Sequence, residues 1–352
     1  HAMLEDLKKA QKFIFLEYFI LEEGKFWNSV LEILKEKVSL GVEVRVIYDD
    51  IGCMMVLPGD YYQTLSQMGI KCVPFSKLKG QANNEFNNRS HRKIMVIDGK
   101  IGFCGGINLA DEYINEIEKY GHWKDGGIRI EGEAVNELTH LFLFDYEMNV
   151  KGEVCDFVPY YQRITSYKND GYVIPFGDGP EPIYQHRTSK TMIMTMLNQA
   201  KHFVYMTSPY LIIDNELAES IKNAALRGID VRIIVPHIPD KKLIFLMTRS
   251  YYKELIDAGV KIYEYEPGFI HAKTYLCDDE IAIVGSMNLD YRSLVHHFEN
   301  GIYFYHHLVL KFIKKDILST IEKSIFINEH PIKNSLPNRF IRALVYTVSP
   351  LL

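Results

Sequence analysis

The chain is poor in cysteine, has no long apolar run and carries no surplus of positive charge. Each shortage excludes a class of protein. Five cysteines lie among 352 residues, at positions 53, 72, 104, 155 and 277. They are scattered and form no CxxC pair, so neither a clustered zinc site nor a disulfide framework is expected. A reducing compartment follows, with these residues as small core side chains. Nothing approaches the ~18 consecutive apolar residues of a spanning helix. The run from Phe13 to Leu21 is short and broken by Glu17. Lys and Arg number 40 against 45 acids, a net charge of −5, which argues against a general nucleic-acid binder. The opening His1-Ala2-Met3 reads as a tag remnant, so an N-terminal segment of the natural protein is expected to be missing ahead of it.

What is present is an ordinary folded balance, 47% hydrophobic and 24% charged. The length suggests two domains or one duplicated one. Duplication is written in the sequence. His91-Arg92-Lys93-Ile94-Met95-Val96-Ile97-Asp98 is echoed by His271-Ala272-Lys273-Thr274-Tyr275-Leu276-Cys277-Asp278, and both read H-x-K-x-x-x-x-D. Ten residues after each aspartate stands an asparagine, in Gly105-Gly106-Ile107-Asn108 and Gly285-Ser286-Met287-Asn288. The offset between the copies is 180 residues throughout. With 13 histidines, chance supplies about 0.03 copies of such a pattern per chain.

The coarse element pattern repeats too. Each half starts with a β-rich run (13–20; 202–208), then a helical stretch (26–39; 215–227) stopped by Gly41 or Gly228, then a buried strand (43–48; 230–235). Strands alternating with helices predict an α/β fold with a sheet in each half. The Gly- and Pro-rich stretch 151–187 reads as a linker. The domains expected are 1–150, the linker 151–187, a second half 188–310, and a basic helical tail 311–352.

In a strand, residues i and i+2 face the same way, so His91 points with Lys93 and His271 with Lys273. Asp98-Gly99 signals a hairpin. Asp98 and Asp278 are therefore expected to be structural, bonding backbone or holding a neighbouring cation. The chemistry suits a phosphodiester. Two lysines and two asparagines can surround phosphoryl oxygens. One histidine can attack phosphorus while the other protonates the leaving alkoxide and then activates the acceptor. No metal and no other cofactor is needed. Each imidazole wants a carboxylate to fix its tautomer. Asp125 and Glu299, each downstream of an asparagine, are candidates, with a surface salt bridge as the alternative for each.

These residues resemble the phospholipase D superfamily, whose signature is two H-x-K-x4-D motifs with downstream Gly-Gly/Ser-x-Asn. The flanking words narrow the resemblance to bacterial cardiolipin synthases. They are Glu17-Tyr18-Phe19, Trp123-Lys124-Asp125, Ser208-Pro209-Tyr210, Tyr263-Glu264-Tyr265, Asn288-Leu289-Asp290-Tyr291-Arg292-Ser293 and Ser349-Pro350-Leu351-Leu352. The resemblance implies two duplicated α/β halves, each a mixed sheet flanked by helices, with the active site at their pseudo-twofold interface. It implies phosphatidyl transfer between two phosphatidylglycerol molecules, giving cardiolipin and glycerol. His91 is then the nucleophile and His271 the acid/base. The implied phosphate-binding set is Lys93, Asn108, Lys273, Ser286 and Asn288, and Asp125 and Glu299 orient the histidines. Two departures stand out: Gly126-Gly127 where the family commonly has Thr-His, and His297-Phe298 where Asn-Phe is usual.

The implied setting is a bacterial cell membrane, with N-terminal spans absent from this sequence. Residues 311–352 carry a net charge of +4 against −9 for the rest. Leu336 to Leu352 mixes Arg339 and Arg342 with apolar residues, which suits an anionic membrane surface, or else a helix docked on the core. A homodimer is open. Some of the 23 tyrosines and 12 methionines would line an apolar route to the site. The alternative functions are a hydrolytic or transphosphatidylating phospholipase D, a phosphatidylserine synthase, a nuclease, and a lipid-binding protein without turnover.

Overall fold

The computed structural model describes residues 1–77, 87–150, 152, 155–163 and 170–330. Among them the first half supplies β1 (Phe13–Tyr18), β2 (Glu43–Asp49), β3 (Lys71–Phe75), β4 (Lys93–Ile97), β5 (Ile101–Gly105), β6 (His122–Lys124) and β7 (Gly127–Glu131). Six of these form one sheet in the order β3-β2-β1-β4-β5-β7. The first three strands of that order run parallel and the rest antiparallel.

The remaining strands are β8 (Tyr172–Asp178), β9 (Phe203–Thr207), β10 (Leu211–Ile212), β11 (Asp230–Pro236), β12 (Lys261–Tyr265), β13 (Gly268–Ile270), β14 (Thr274–Cys277), β15 (Ile281–Gly285), β16 (Leu289–Asp290), β17 (Glu299–Tyr305) and β18 (Ser324–Phe326). The second sheet runs β18-β12-β11-β9-β14-β15-β17-β8. Its inner six strands repeat the first sheet strand for strand, with the same directions. The duplicated α/β architecture is therefore present.

Local sequence explains these elements. Every residue of β1, Phe-Ile-Phe-Leu-Glu-Tyr, is buried, as a central strand covered on both faces requires. The helix Lys25–Ser39 buries Phe26, Trp27, Val30, Leu31, Ile33 and Leu34 as one stripe. Gly41 at φ +85° ends it, and Gly228 at φ +89° ends the matching helix Asn215–Leu226. Trp27, Leu34 and Met95 belong to the outer apolar layer of the first sheet. Met196, Ile221 and Ile233 belong to that of the second. The middle layer is shared. Phe15, Ile94 and Val96 cluster there with Tyr205, Leu276 and Val284, together with Phe142 of the helix Val135–Asn149 and Ile313 of the helix Val309–Ile321. Apolar burial of this extent is the main term holding the two halves together.

Two expected boundaries shift. The stretch read as a linker, 151–187, carries β8, which pairs along its whole length with β17. The tail from 311 begins inside the helix Val309–Ile321, whose Ile313 and Ile317 are core residues, and continues into β18, which pairs with β12. The reason is edge protection: both additions cover sheet edges that local pattern cannot reveal. Leu336 to Leu352 lies outside the described residues. Among the described residues no helix is long and apolar enough to cross a membrane.

Asp98 and Asp278 act on backbone. Each stands at a left-handed turn position, φ 54° and 52°. The Asp98 carboxylate accepts from the N–H groups of Gln11 (2.9 Å), Lys12 (2.7 Å) and Phe13 (2.9 Å). Asp278 accepts from Lys201 (2.6 Å), His202 (2.9 Å) and Phe203 (2.8 Å). Each motif aspartate thus pins the start of its half's central strand. Replacing Asp98 by Ala orphans three donors and should cost about 2–4 kcal/mol of stability. Asp98→Asn keeps the two bonds to Oδ1 and tolerates the turn, so it should cost about half as much. Urea denaturation followed by far-UV circular dichroism measures both; equal midpoints for the two variants would contradict the clamp.

Candidate active site

His91 and His271 do not lie inside strands, as alternation suggested. Each occupies the extended segment just before β4 or β14. Those segments are held by the opposite half. The His91 N–H donates to the Phe298 carbonyl at 2.9 Å, and the His271 N–H to the Lys124 carbonyl at 2.7 Å. Strand β13, just before His271, pairs with β6 and sets Phe269 beside Trp123. The residue after Phe298 is Glu299, and the residue after Lys124 is Asp125. Backbone pairing thereby delivers each acid to the other half's histidine. His91 Nδ1 lies 3.0 and 3.1 Å from the two Glu299 oxygens. His271 Nδ1 lies 2.7 Å from Asp125 Oδ2.

The two acids are held differently. Glu299 is fully buried and accepts from the hydroxyls of Ser286 and Ser293. Asp125 accepts from the Gly126 N–H at 2.8 Å and the Trp123 indole N–H at 3.3 Å. Gly106 holds the first-half position that Ser286 holds in the second. A Cβ on Gly106 would stand 2.2 Å from Asp125 Oδ1. A serine there would require Asp125 to shift from its place beside His271.

The lysines lie beneath the histidines. Lys93 Nζ donates to the His91 carbonyl at 2.6 Å, and Lys273 Nζ to the His271 carbonyl. Both are buried, and neither they nor Ser286 line the cavity that His91 and His271 share. That cavity measures about 430 Å³, and Asn108 and Asn288 do line it. Asn108 accepts from the Ile20 N–H at 3.1 Å and donates to the Tyr113 hydroxyl at 2.7 Å. Asn288 donates to Asp290 at 2.9 Å. Tyr113, Tyr120, Tyr210 and Tyr291 contribute to the wall, while no described methionine does.

Burial dominates the electrostatics. Desolvation, aided by the Lys93 charge, takes His91 well below 6.5 against the pull of Glu299. Desolvation and Lys273 take His271 to about 4 against the pull of Asp125. Lys93 falls to about 7 and Lys273 to about 8, again by burial, with the acids opposing. Burial would raise Asp125, but His271 and Lys273 bring it to about 2. Burial would raise Glu299 too, but His91 and His297 hold it well below the usual range. Lys93 feels Asp125, and Lys273 feels Glu299. The two half-sites form one electrostatic unit.

His297 entered the sequence reading only as a departure from a family word. It stands 5.4 Å from His91, ring to ring, and its Nδ1 is 3.7 Å from Glu299 Oε1. Among the described residues, His91, His297 and Glu299 each bring a donor atom within 4.8 Å of the others, a group able to hold a metal ion. Sequence spacing excluded such a cluster because its members are 2 to 208 positions apart and come from both halves.

A family model described as cardiolipin synthase, PLD-like domain, matches residues 3–120 and 193–320. A relative named cardiolipin synthase in Halalkalibacterium halodurans is 36% identical over 348 residues, covering 98% of this chain and 69% of that protein. One named cardiolipin synthase 2 in Bacillus cereus is 36% identical over 355 residues, covering 100% and 68%. Among solved structures, phosphatidylserine synthase of Haemophilus influenzae gives a TM-score of 0.73 at 16% identity, covering 100% of this chain and 92% of that one. Polyphosphate kinase of Porphyromonas gingivalis gives 0.59 at 13% identity, covering 98% and 51%. At such identities the structural likeness is one of fold. The family match and the relatives aligned along nearly this whole chain, set on two carboxylate-braced histidines at one cavity, establish that the chain belongs to the cardiolipin synthase family of phospholipase D-like enzymes.

Proposed function

We propose that this enzyme transfers a phosphatidyl group from one phosphatidylglycerol to another, giving cardiolipin and glycerol through a phosphohistidine intermediate. The observation that carries the reading is the crossed pair of histidine–carboxylate couples opening onto one cavity. With Nδ1 held by an acid, each imidazole keeps Nε2 free for chemistry. His91 Nε2 attacks phosphorus, forming a P–N bond as the P–O bond to glycerol breaks. His271 supplies the proton that leaves with glycerol. A hydroxyl of the second phosphatidylglycerol then attacks phosphorus, its proton passes to His271, and the P–N bond breaks. A neutral His91 suits the first role. The phosphodiester anion, once bound, offsets the burial that keeps His271 uncharged and lets it carry the proton. Lys93 and Lys273 supply charge from beneath the site, while Asn108 and Asn288 face the phosphoryl group.

Delivery of the lipid from a bacterial membrane surface is part of the proposal. Ile51 and Ile244 line the cavity, and near them in sequence Met54, Met55, Leu243 and Leu246 are exposed. Apolar side chains exposed beside a cavity mouth fit contact with lipid.

His91→Ala and His271→Ala should each lower cardiolipin formation from phosphatidylglycerol by at least about 10³-fold, read as lipid products by mass spectrometry. Phosphatidic acid as the sole product of the unmodified enzyme would reassign it as a hydrolase. Glu299→Gln keeps the volume but lets His91 take the wrong tautomer, and turnover should fall about 10²-fold or more.

The pH profile has a worked sign. A lowered His91 pKa keeps the nucleophile neutral further into acid, so the acid limb of kcat/KM should lie below pH 6.5. His271 must carry a proton, and lysine charge is lost as pH rises through about 7 and about 8, so the alkaline limb should begin no higher than there. Both limbs are apparent values of a coupled set. An acid limb at or above 6.5 would count against burial as the controlling effect.

A further inference from the structure

His297 lines the cavity beside His91 and has no part in the reaction above. Its side chain is 10% exposed. Both ring nitrogens are buried; neither is within hydrogen-bonding distance of a partner, and Nδ1 has only its 3.7 Å charge contact with Glu299. Buried polar atoms are normally paired, so two orphans on one ring need an explanation. Three acids, Asp49, Asp290 and Glu299, interact with His297 by charge, while Arg89 and Arg292 line the same cavity and Lys93 acts on His91. Two of the acids are engaged elsewhere. Asp49 pairs with Arg89 at 3.0 Å, and Asp290 caps the helix Tyr291–Val295. Glu299 stands nearest, shared with His91 and also accepting from the Ser286 and Ser293 hydroxyls.

The distances suit a metal. Tetrahedral ligands bound at about 2.0–2.1 Å stand roughly 3.3–3.4 Å apart. His91 Nδ1 to Glu299 Oε1 is 3.0 Å, and His297 Nδ1 to the same oxygen is 3.7 Å, so the pair straddles that spacing. Donor atoms of all three residues lie within 4.8 Å of one another. Two imidazoles and one carboxylate are a ligand set that zinc favours. The asparagine usual at position 297 in the family would remove one nitrogen ligand.

We propose that His91, His297 and Glu299 form a binding site for a borderline divalent cation such as Zn²⁺, and that the bound ion inhibits the enzyme. The metal takes the Nδ1 lone pair of His91. The single proton of that ring then moves to Nε2 by exchange with solvent, and Nε2 no longer offers a lone pair to phosphorus. Glu299 exchanges its bond from His91 for one to the metal and keeps its charge, so charge and protons balance. The inhibition follows from the tautomer and holds whichever lipid the enzyme uses.

The test is a Co²⁺ titration of the metal-stripped full chain, read by the intense visible absorption of tetrahedral cobalt and by displacement with Zn²⁺. One site per chain is expected. His297→Asn and Glu299→Gln should each weaken it at least about tenfold, while His140→Asn, on a side chain 56% exposed, should leave it unchanged. Micromolar Zn²⁺ should stop phosphodiester turnover reversibly on adding EDTA, and His297→Asn should raise the inhibitory concentration at least about tenfold. Thermal melting checks that the variants fold, and His297→Gln repeats the reading if Asn does not. Absence of a tetrahedral spectrum, or an affinity that the His297 substitutions leave unmoved, would overturn the site. Failure of the lipid-transfer reading would appear separately, as no cardiolipin from metal-free enzyme.

Discussion

The crossed pairing of histidine and carboxylate is the constraint on which the site depends. Glu299 belongs to the second half and serves His91; Asp125 belongs to the first half and serves His271. Neither half contains a competent imidazole by itself. The exchange is enforced by backbone, through the His91–Phe298 and His271–Lys124 hydrogen bonds and the β13–β6 pair. Side-chain geometry then follows from register, which a shift of one residue would reverse. The shared apolar layer between the sheets fixes that register from below.

Such a site carries a large concentration of buried charge. Two lysines, two acids and two imidazoles are buried together and feel one another's charge. Isolated, each would be expensive to desolvate. Together they compensate: the acids stay ionised, the imidazoles go neutral, and the lysines sit close to the pH at which they lose their charge. This is the condition in which a small change, such as the arrival of a phosphodiester anion, moves protons between groups. The lysines do their work without reaching the cavity, because charge acts through space in a dry interior.

The pseudo-symmetry is incomplete in ways that matter. Ser286 and Ser293 fasten Glu299, whereas a side chain at Gly106 would push Asp125 from its present place. His297 adds a third imidazole to the second half's side alone. Two copies of one motif have thus become two unlike half-sites.

Much of this was legible in the residues themselves. The doubled H-x-K-x4-D motif and its offset specify duplication, the α/β class, the two histidines that share the cavity and the backbone-bonding aspartates, because these depend on local spacing and on residue chemistry. The helices stopped by Gly41 and Gly228 are local as well. The rest depends on contacts distant in sequence. That β8 and β18 would complete the second sheet is a matter of edges, invisible to periodicity. That Lys93, Lys273 and Ser286 would brace the histidines and Glu299 from outside the cavity depends on burial at the seam. That His297 would stand against His91 and Glu299 needed both halves in place. One dimension determined which chemical groups are present and in how many copies; only three decided which acid meets which imidazole, since that is fixed by hydrogen-bond register and shared packing between halves some 180 residues apart.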